Sequence, residues 1–349
     1  MPDAIVSPYG TWKSPISADL LAKSGVSAGW LETHDEDVYW VEMRPGEGGR
    51  YVVVRRTPDG EVSDITPGDF NARTLVHEYG GGMYWLHDHS VYFTNFADQR
   101  LYRQVDSGPP QAITPAPTKP RALRYADGRV TPDGRWIICV RESHEGEGEA
   151  VNELVALPAD GSAAPRVIAT GRTFYSNPRI SPDGTKLAWL CWDHPNMPWD
   201  GTELWVANLS GEATLSHERL VTGGPRESIF QPEWSPDGQL YFISDRSNWW
   251  NLYRDAGPDI EAEHIAPMNV EFGQPQWVFG FSRYTFLPDG HIACIVTENG
   301  FDSLVLVDMQ ATTVQPLPTE FSMMDFLHHI RGRLWLIAAS PPSLKMMFW

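Results

Sequence analysis

The sequence predicts an all-β fold, a seven-bladed β-propeller of four-stranded antiparallel blades whose last blade is truncated. A Pro-Asp-Gly motif recurs four times, with its prolines at Pro132, Pro182, Pro236 and Pro288. The steps between these prolines are 50, 54 and 52 residues, and an apolar, strand-like run follows each motif. A period near 50 residues, made of short strands and turns, is typical of propeller blades.

Each residue of the motif favours a tight turn between two strands. Proline presets φ at the first turn position, aspartate hydrogen-bonds to the nearby backbone, and glycine accepts positive φ. Four unrelated turns in an ordinary all-β protein could produce the same motif. They would not place an apolar run at nearly the same offset each time, so the repeat interpretation is favoured.

The 349 residues divide into a lead-in segment and a propeller. Residues 1–29 precede the first blade, and we expect a short helix over residues 18–23, between Ser17 and Gly25. The propeller is predicted over residues 30–349. Its blades are expected over residues 30–67, 70–115, 123–170, 175–222, 229–266 and 277–317, followed by a partial blade over 324–349.

The partial last blade would leave an apolar sheet edge, which native proteins normally cover. We therefore expect either that the chain is a fragment of a longer protein, or that its N-terminal segment or a partner covers this edge.

Composition and charge argue against several classes of partner. The net charge is −18, whereas nucleic acids and anionic membranes require clustered Lys and Arg, so neither is expected as a partner. Three cysteines, Cys139, Cys191 and Cys294, lie within predicted strands and favour reduced thiols in a cytoplasmic protein. We see no secretory signal and no apolar run long enough to span a membrane, and we expect no cofactor.

Four stretches of the chain carry a family resemblance. They are YGTWKSPI at residues 9–16, VHEYGGG at 76–82, FADQRLY at 96–102 and WDHPNMPWD at 192–200. Together they resemble the N-terminal propeller of prolyl oligopeptidase family serine peptidases, in particular the bacterial dipeptidyl aminopeptidase and acylaminoacyl peptidase group. The four stretches are fairly specific in combination, whereas the Pro-Asp-Gly repeats alone are not.

The resemblance implies a function for the propeller. In that family an α/β-hydrolase domain follows the propeller and carries the catalytic residues, so this chain alone is expected to be inactive. The propeller would cover the mouth of the active site and admit only short peptides. Short peptides and the C-terminal hydrolase domain are therefore the expected partners, and homo-oligomerisation stays open.

A second function remains possible on the sequence. A stand-alone propeller of the TolB-like type would bind a protein or peptide partner in its channel. The missing secretory signal and the unfinished last blade favour the peptidase interpretation over this one.

The glycine-rich loop at residues 77–82 contains the first candidate substrate-binding residues, His77, Glu78 and Tyr79. Three glycines allow close backbone approach, and Glu78 could supply a carboxylate that holds the ammonium group of a peptide. Alternatively, the glycines only let the chain bend into the inner strand of the second blade, and Glu78 is solvated.

Further candidates are Trp192 and Asp193, at the start of an insertion in the fourth blade, and Glu227, before the fifth blade. Aromatic and carboxylate groups on such loops could face the substrate. The simpler interpretation is that the tryptophans pack on their own blade.

Two other motifs are not expected to carry chemistry. Ser27 stands in a Gly-x-Ser-x-Gly sequence, but no strand-to-helix turn of a parallel sheet is predicted there, so we assign no catalytic residue. His87 and His89 offer only two ring nitrogens for a metal, so this stretch is better interpreted as a surface turn, and no metal site is assigned.

We expect a fluorophosphonate probe to leave the 349-residue chain unlabelled, because Ser27 lacks the neighbours that activate a nucleophile. Intact-mass spectrometry after incubation measures this directly. A mass increase that maps to Ser27 would overturn the interpretation.

Overall fold

The computed structural model describes residues 8–11, 14, 16, 17, 25–340 and 343–348, the last range for its backbone only. The helix expected over residues 18–23 lies outside the described residues. No helix among the described residues is long and apolar enough to cross a lipid bilayer.

The described residues form six four-stranded antiparallel sheets and one three-stranded sheet. In the first three sheets the strands are β1 Ser27–His34, β2 Asp37–Arg44, β3 Arg50–Arg56 and β4 Val62–Asp64; β5 Tyr84–His87, β6 Ser90–Thr94, β7 Leu101–Val105 and β8 Gln111–Ala112; and β9 Leu123–Val130, β10 Trp136–Ser143, β11 Val151–Pro158 and β12 Arg166–Ala169. A short 3-10 helix, Pro45–Glu47, lies between β2 and β3.

The remaining sheets follow in chain order. Their strands are β13 Phe174–Ile180, β14 Lys186–Trp192, β15 Glu203–Leu209 and β16 Leu215–Gly223; β17 Ile229–Trp234, β18 Leu240–Ser244, β19 Asn251–Arg254 and β20 Glu263–His264; β21 Tyr284–Phe286, β22 His291–Glu298, β23 Phe301–Asp308 and β24 Val314–Leu317; and β25 Met323–Ile330, β26 Arg333–Ser340 and β27 Ser343–Phe348.

Each sheet is a simple meander, and the sheets are arranged radially as blades. The first strands of successive sheets contact one another, so these strands line the axis of the ring. The prediction of an all-β propeller with four-stranded antiparallel blades is therefore confirmed. Six blades are complete among the described residues, so the predicted total of seven stays a prediction.

The ring closes between the first and last sheets by side-chain packing. Leu31, Trp40 and Val54 of the first blade form one buried cluster with Phe326 and Trp335 of the three-stranded sheet. Among the described residues no strand is shared between these two sheets. Among these residues, closure therefore depends on burial of apolar surface.

The Pro-Asp-Gly motifs connect the first and second strands of their blades, as predicted. In two of them the preceding hydroxyl donates to the aspartate at 2.6 Å, from Thr131 to Asp133 and from Ser181 to Asp183. These hydrogen bonds lower the pKa of both aspartates to about 2. All four turns lie at the same end of the propeller, which we call the turn face. We call the opposite end, where the first strand of each blade begins, the loop face.

Bulges in first strands tie several blades to other parts of the ring. Three of the bulged residues are Asp127, Asn177 and Gln231, with φ of 52°, 50° and 45°, and the strand register shifts at each of them. Asp127 Oδ2 accepts a hydrogen bond from the Asn177 amide at 2.6 Å. Gln231 Oε1 accepts one from the Arg283 amide at 2.6 Å. The bulges thus direct polar groups from one blade to the next.

Two loops meet over the axis at the loop face. One is the glycine loop, residues 74–82, before the first strand of the second blade. The other is a crossing segment, residues 271–283, before the first strand of the sixth blade. Gly81 and Phe279 form a parallel β-bridge, and the Phe279 amide donates to the Gly80 carbonyl at 3.0 Å. Trp30 Nε1 of the first blade donates to the Phe279 carbonyl at 2.8 Å.

The crossing segment is also tied to two further sheets. Gln274 Nε2 donates to Asp325 Oδ1 of the three-stranded sheet at 2.9 Å, and Gln276 Nε2 donates to Asn177 Oδ1 of the fourth blade at 2.8 Å. The sixth blade was expected to begin near Trp277, whereas its first strand in the structure begins at Tyr284. The intervening residues leave the sheet because their backbone bonds across the ring.

The crossing requires glycine at position 81. A Cβ there would lie 2.4 Å from the Phe279 oxygen and 2.6 Å from the Phe279 nitrogen. Gly290 has almost the same conformation, φ 87° against 90° for Gly81, but a Cβ at Gly290 would meet nothing within 4 Å. Comparing alanine substitutions at the two glycines therefore distinguishes the steric cost of an added Cβ from the cost of a positive φ.

We expect Gly81→Ala to destabilise the propeller by about 1–3 kcal/mol more than Gly290→Ala, because only the former overpacks the crossing. Both variants pay a similar cost for alanine at positive φ. Urea unfolding of the two variants and the parent measures the difference. Equal losses of stability would contradict the close approach of the two loops.

Candidate functional site

An aromatic pocket lies at the loop face, between the glycine loop, the crossing segment and the insertion of the fourth blade. It holds about 560 Å³ of empty space, part of which is open to solvent. The lining residues are mostly aromatic or apolar: His77, Tyr79, Gly80, Phe174, Trp192, Met197, Pro198, Trp199, Gln276, Trp277, Val278 and Phe279. A concave apolar pocket with a few polar groups is the usual form of a ligand site.

The inner wall of the pocket is an aromatic cage around His77. The His77 ring lies edge-on to Phe174 and Trp192, with ring centroids 5.0 and 5.7 Å apart, and 4.8 Å from the Phe279 centroid. Phe174 and Trp192 stack on each other at 5.4 Å. These rings come from three blades, so the cage exists only in the folded ring.

The outer wall consists of three exposed or partly exposed rings. Trp277 of the crossing segment packs against Trp199 at 4.4 Å and against Tyr79 at 5.7 Å. Tyr79 is 64% exposed and Trp277 is 52% exposed. Large aromatic side chains exposed together at the mouth of a pocket indicate a binding surface.

The glycine loop is held in an unusual backbone conformation. His77 and Glu78 both have positive φ, 54° and 66°, which is costly for residues with a side chain. Glu142 of the third blade stabilises this turn, because its Oε2 accepts a hydrogen bond from the His77 amide at 2.8 Å. Gly80 closes the turn against the Thr74 carbonyl, which would lie 2.4 Å from an added Cβ.

Arg124 links the loop to the third blade. Its Nη1 donates to the Leu75 carbonyl at 2.9 Å, to Glu78 at 2.9 Å and to Glu142 at 2.8 Å. Glu142 is buried, whereas the Glu78 side chain is 74% exposed. Glu78 therefore keeps one carboxylate oxygen towards solvent. It does not line the aromatic pocket itself but stands between the lining residues His77 and Tyr79 in the chain, a position that we call the rim.

Glu78, Glu142 and His144 also stand close enough together to hold a cation, with ligand atoms within 4.8 Å of one another. The Arg124 guanidinium already lies between the two carboxylates and satisfies them. His144 Nε2 bonds to Glu142 at 2.6 Å. The cluster is therefore explained as an ion-pair network that supports the loop.

The structure brings together some of the six residues that the sequence singled out. His77, Tyr79 and Trp192 line the aromatic pocket, and Glu78 lies at its rim. Asp193 lies in a neighbouring depression, paired with Arg172 Nε at 2.8 Å and accepting the Thr173 amide at 2.8 Å.

Glu227 is engaged elsewhere. It pairs with Arg246 at 2.8 Å and accepts a hydrogen bond from Ser244 at 2.7 Å. Its contacts therefore tie the connection before β17 to the fifth blade.

Sequence reasoning missed the crossing segment. Trp277 and Phe279 were assigned to the start of the sixth blade, and Gln276 and Phe174 were not singled out. The available signal was the density of aromatic residues in the loops around Trp199 and Trp277. Nothing local indicated that these loops meet the glycine loop.

The structure places Ser27 and the His87–His89 stretch at a strand end and in a turn. Ser27 is the first residue of β1, in an antiparallel sheet rather than on a strand-to-helix turn. His87 ends β5 and pairs with Ser90 across a tight turn.

Comparison with solved structures gives a family. Puromycin hydrolase matches at 34% identity and a TM-score of 0.89, over 98% of this chain and 54% of its own. A puromycin-hydrolyzing peptidase of Mycobacterium tuberculosis matches at 34% identity and a TM-score of 0.90, over 99% of this chain and 55% of its own. The chain is homologous to the N-terminal propeller of prolyl oligopeptidase family peptidases.

The chain spans about half the length of these relatives, in which the propeller is attached to a catalytic peptidase domain. A prolyl endopeptidase shares the fold at a TM-score of 0.63 and 12% identity, over 93% of this chain and 50% of its own. No protein-family model matches the sequence, and no curated protein matches it. The described residues form the propeller and contain no α/β-hydrolase domain.

Burial lowers the pKa of His77 to about 4, and the nearby Glu142 carboxylate opposes this shift only in part. Between about pH 6.5 and pH 4 the His77 ring is therefore neutral in the folded protein and protonated in the unfolded chain. Protonation stabilises the unfolded chain, so the contribution of His77 to the free energy of unfolding is fully present above about pH 6.5 and is lost as the pH falls towards 4.

We expect the parent protein to lose about 2 kcal/mol of stability between pH 7 and pH 5 through His77 alone. His77→Phe keeps a ring in the cage and should remove that part of the loss. His89→Gln, at an exposed histidine on the turn face, serves as the control. Denaturant unfolding at the two pH values measures this, and identical slopes for parent and His77→Phe would refute the assignment.

Proposed function

We propose that the chain is the substrate-filtering propeller of a serine exopeptidase or oligopeptidase, of the dipeptidyl aminopeptidase or acylaminoacyl peptidase group. The observation that carries this proposal is the aromatic pocket with Glu78 at its rim, on the face where the ring is crossed by two loops. The propeller contributes substrate contacts and excludes large proteins, and the catalytic groups come from an α/β-hydrolase domain.

The pocket suits one end of a short peptide. Its aromatic walls bind an apolar or aromatic side chain by burial and by edge-to-face ring contacts. The exposed oxygen of Glu78 is an acceptor for the N-terminal ammonium group. The crossing of Gly81 with Phe279 lies beside the pocket and supplies part of its wall through Gly80 and Phe279.

The loop face is also suited to docking of the hydrolase domain. It carries exposed apolar residues at strand ends and loops around the ring: Tyr79, Val151, Met197, Trp249, Trp277, Phe301 and Met323. The turn face carries the aspartates of the turn motifs and fewer exposed apolar residues, among them Val62, Val105 and Ile260.

Two further features belong to the proposal. The three-stranded sheet β25–β27 is the seventh blade, since it packs between the sixth and first blades. A cytoplasmic location is supported by the cysteines, because Cys139, Cys191 and Cys294 are free and buried. Burial raises the pKa of the Cys139 and Cys191 thiols to about 12, which keeps them unreactive.

We expect Glu78→Gln in the full-length peptidase to lower kcat/KM for peptides with a free N-terminus by about 10-fold, since one charged hydrogen bond is lost. The loss should appear mainly in KM. N-acetylated versions of the same peptides lack the ammonium group and should be unaffected.

Glu61→Gln, at an exposed glutamate on the turn face, is the matched control and should behave like the parent. If Glu78→Gln left the ratio between free and acetylated peptides unchanged, Glu78 would not bind the ammonium group. If substitutions in the aromatic pocket also left KM unchanged, the proposed role of the propeller in filtering substrates would be refuted.

A further inference from the structure

Gln276 places a side-chain amide in the wall of the aromatic pocket. It precedes Trp277 in the crossing segment. The polar side-chain atoms of the pocket lining belong to Gln276, His77, the Tyr79 hydroxyl and the indole nitrogens of the tryptophans. Its Oε1 is buried and has no hydrogen-bond partner among the described residues. A buried acceptor without a partner is unusual and calls for an explanation.

The orientation of this amide is fixed from below. Gln276 Nε2 donates to Asn177 Oδ1 at 2.8 Å, so the oxygen is the end left over. The backbone of Asn177 is held at the bulge of the fourth blade, where its main-chain N–H donates to Asp127 Oδ2 at 2.6 Å. Asp127 is buried and paired with Arg179 at 3.1 Å. The acceptor is therefore preorganised by a polar chain that runs across two blades.

The neighbours of this acceptor define the ligand that it would serve. Trp277 and Phe279 on the same segment supply apolar walls, so a side chain that enters the pocket brings its own backbone past Gln276. In a peptide the donor nearest to a side chain is the N–H of the same residue. An ester oxygen at this position would offer an acceptor instead and leave Gln276 without a partner.

We infer that Gln276 is a specificity-determining residue that accepts a hydrogen bond from the backbone N–H of the peptide residue whose side chain occupies the aromatic pocket. The inference rests on the proposed function, because it assigns a peptide to this pocket. Sites built to bond a substrate N–H discriminate against analogues that lack it, since the buried acceptor is then left unsatisfied.

The test compares two ligands that differ only at this atom. One is glycyl-phenylalaninamide, and the other is its depsipeptide, in which an ester oxygen replaces the phenylalanine N–H. Calorimetry with the full-length peptidase gives their dissociation constants. We expect the parent to bind the amide about 10-fold more tightly than the ester, as one buried hydrogen bond predicts.

Gln276→Met keeps the length of the side chain and removes the acceptor, so the ratio of the two dissociation constants should fall to near 1. Gln274→Met is the matched control. Gln274 belongs to the same crossing segment but does not line the pocket, and its replacement removes the hydrogen bond to Asp325. This variant should keep the ratio of the parent even if it lowers stability.

Three outcomes would overturn the inference: equal binding of both ligands to the parent, an unchanged ratio in Gln276→Met, or the same loss of ratio in Gln274→Met. A separate result would refute the proposed function: neither Glu78→Gln nor Trp277→Ala would change KM for peptides with a free N-terminus. If those two variants raise KM while Gln276→Met keeps the ratio, only the role of Gln276 is refuted.

Discussion

The contact of Gly81 with Phe279 is the constraint on which the loop face depends. The backbones of the two loops approach so closely that a single added methyl group would overlap the Phe279 oxygen. The contact joins loops from opposite sides of the ring and positions Trp277 against Tyr79. Without it the aromatic pocket would lose one of its walls.

Hydrogen bonds at the bulges of the first strands connect the two crossing loops to the blades. At Asp127 and Asn177 the chain leaves regular strand geometry, and the polar groups that are released bond to a neighbouring blade instead. Asn177 then holds Gln276 of the crossing segment. A local irregularity in a strand, which costs some backbone strain, thus becomes the connection between the rigid ring and the pocket.

Charge and apolar surface are separated around the pocket. Arg124 and Glu142 are enclosed and hold the glycine loop, whereas Glu78 faces solvent beside aromatic rings. An apolar cleft with one carboxylate at its rim recognises a ligand with the opposite arrangement, an apolar side chain next to a cation. The N-terminal end of a peptide, the ligand that we propose for this pocket, has such an arrangement.

The sequence by itself determined the propeller, because its signals are local. The Pro-Asp-Gly turns, the alternation of the following strands and their period near 50 residues all act within one blade. The glycine loop and Trp192 were also recognised, from residue types in a loop. The tertiary structure alone decided that His77, Trp192 and Phe279 form one cage, and that Gln276 bonds to Asn177. These contacts join residues far apart in the chain, and their geometry follows from ring closure, which no local pattern encodes.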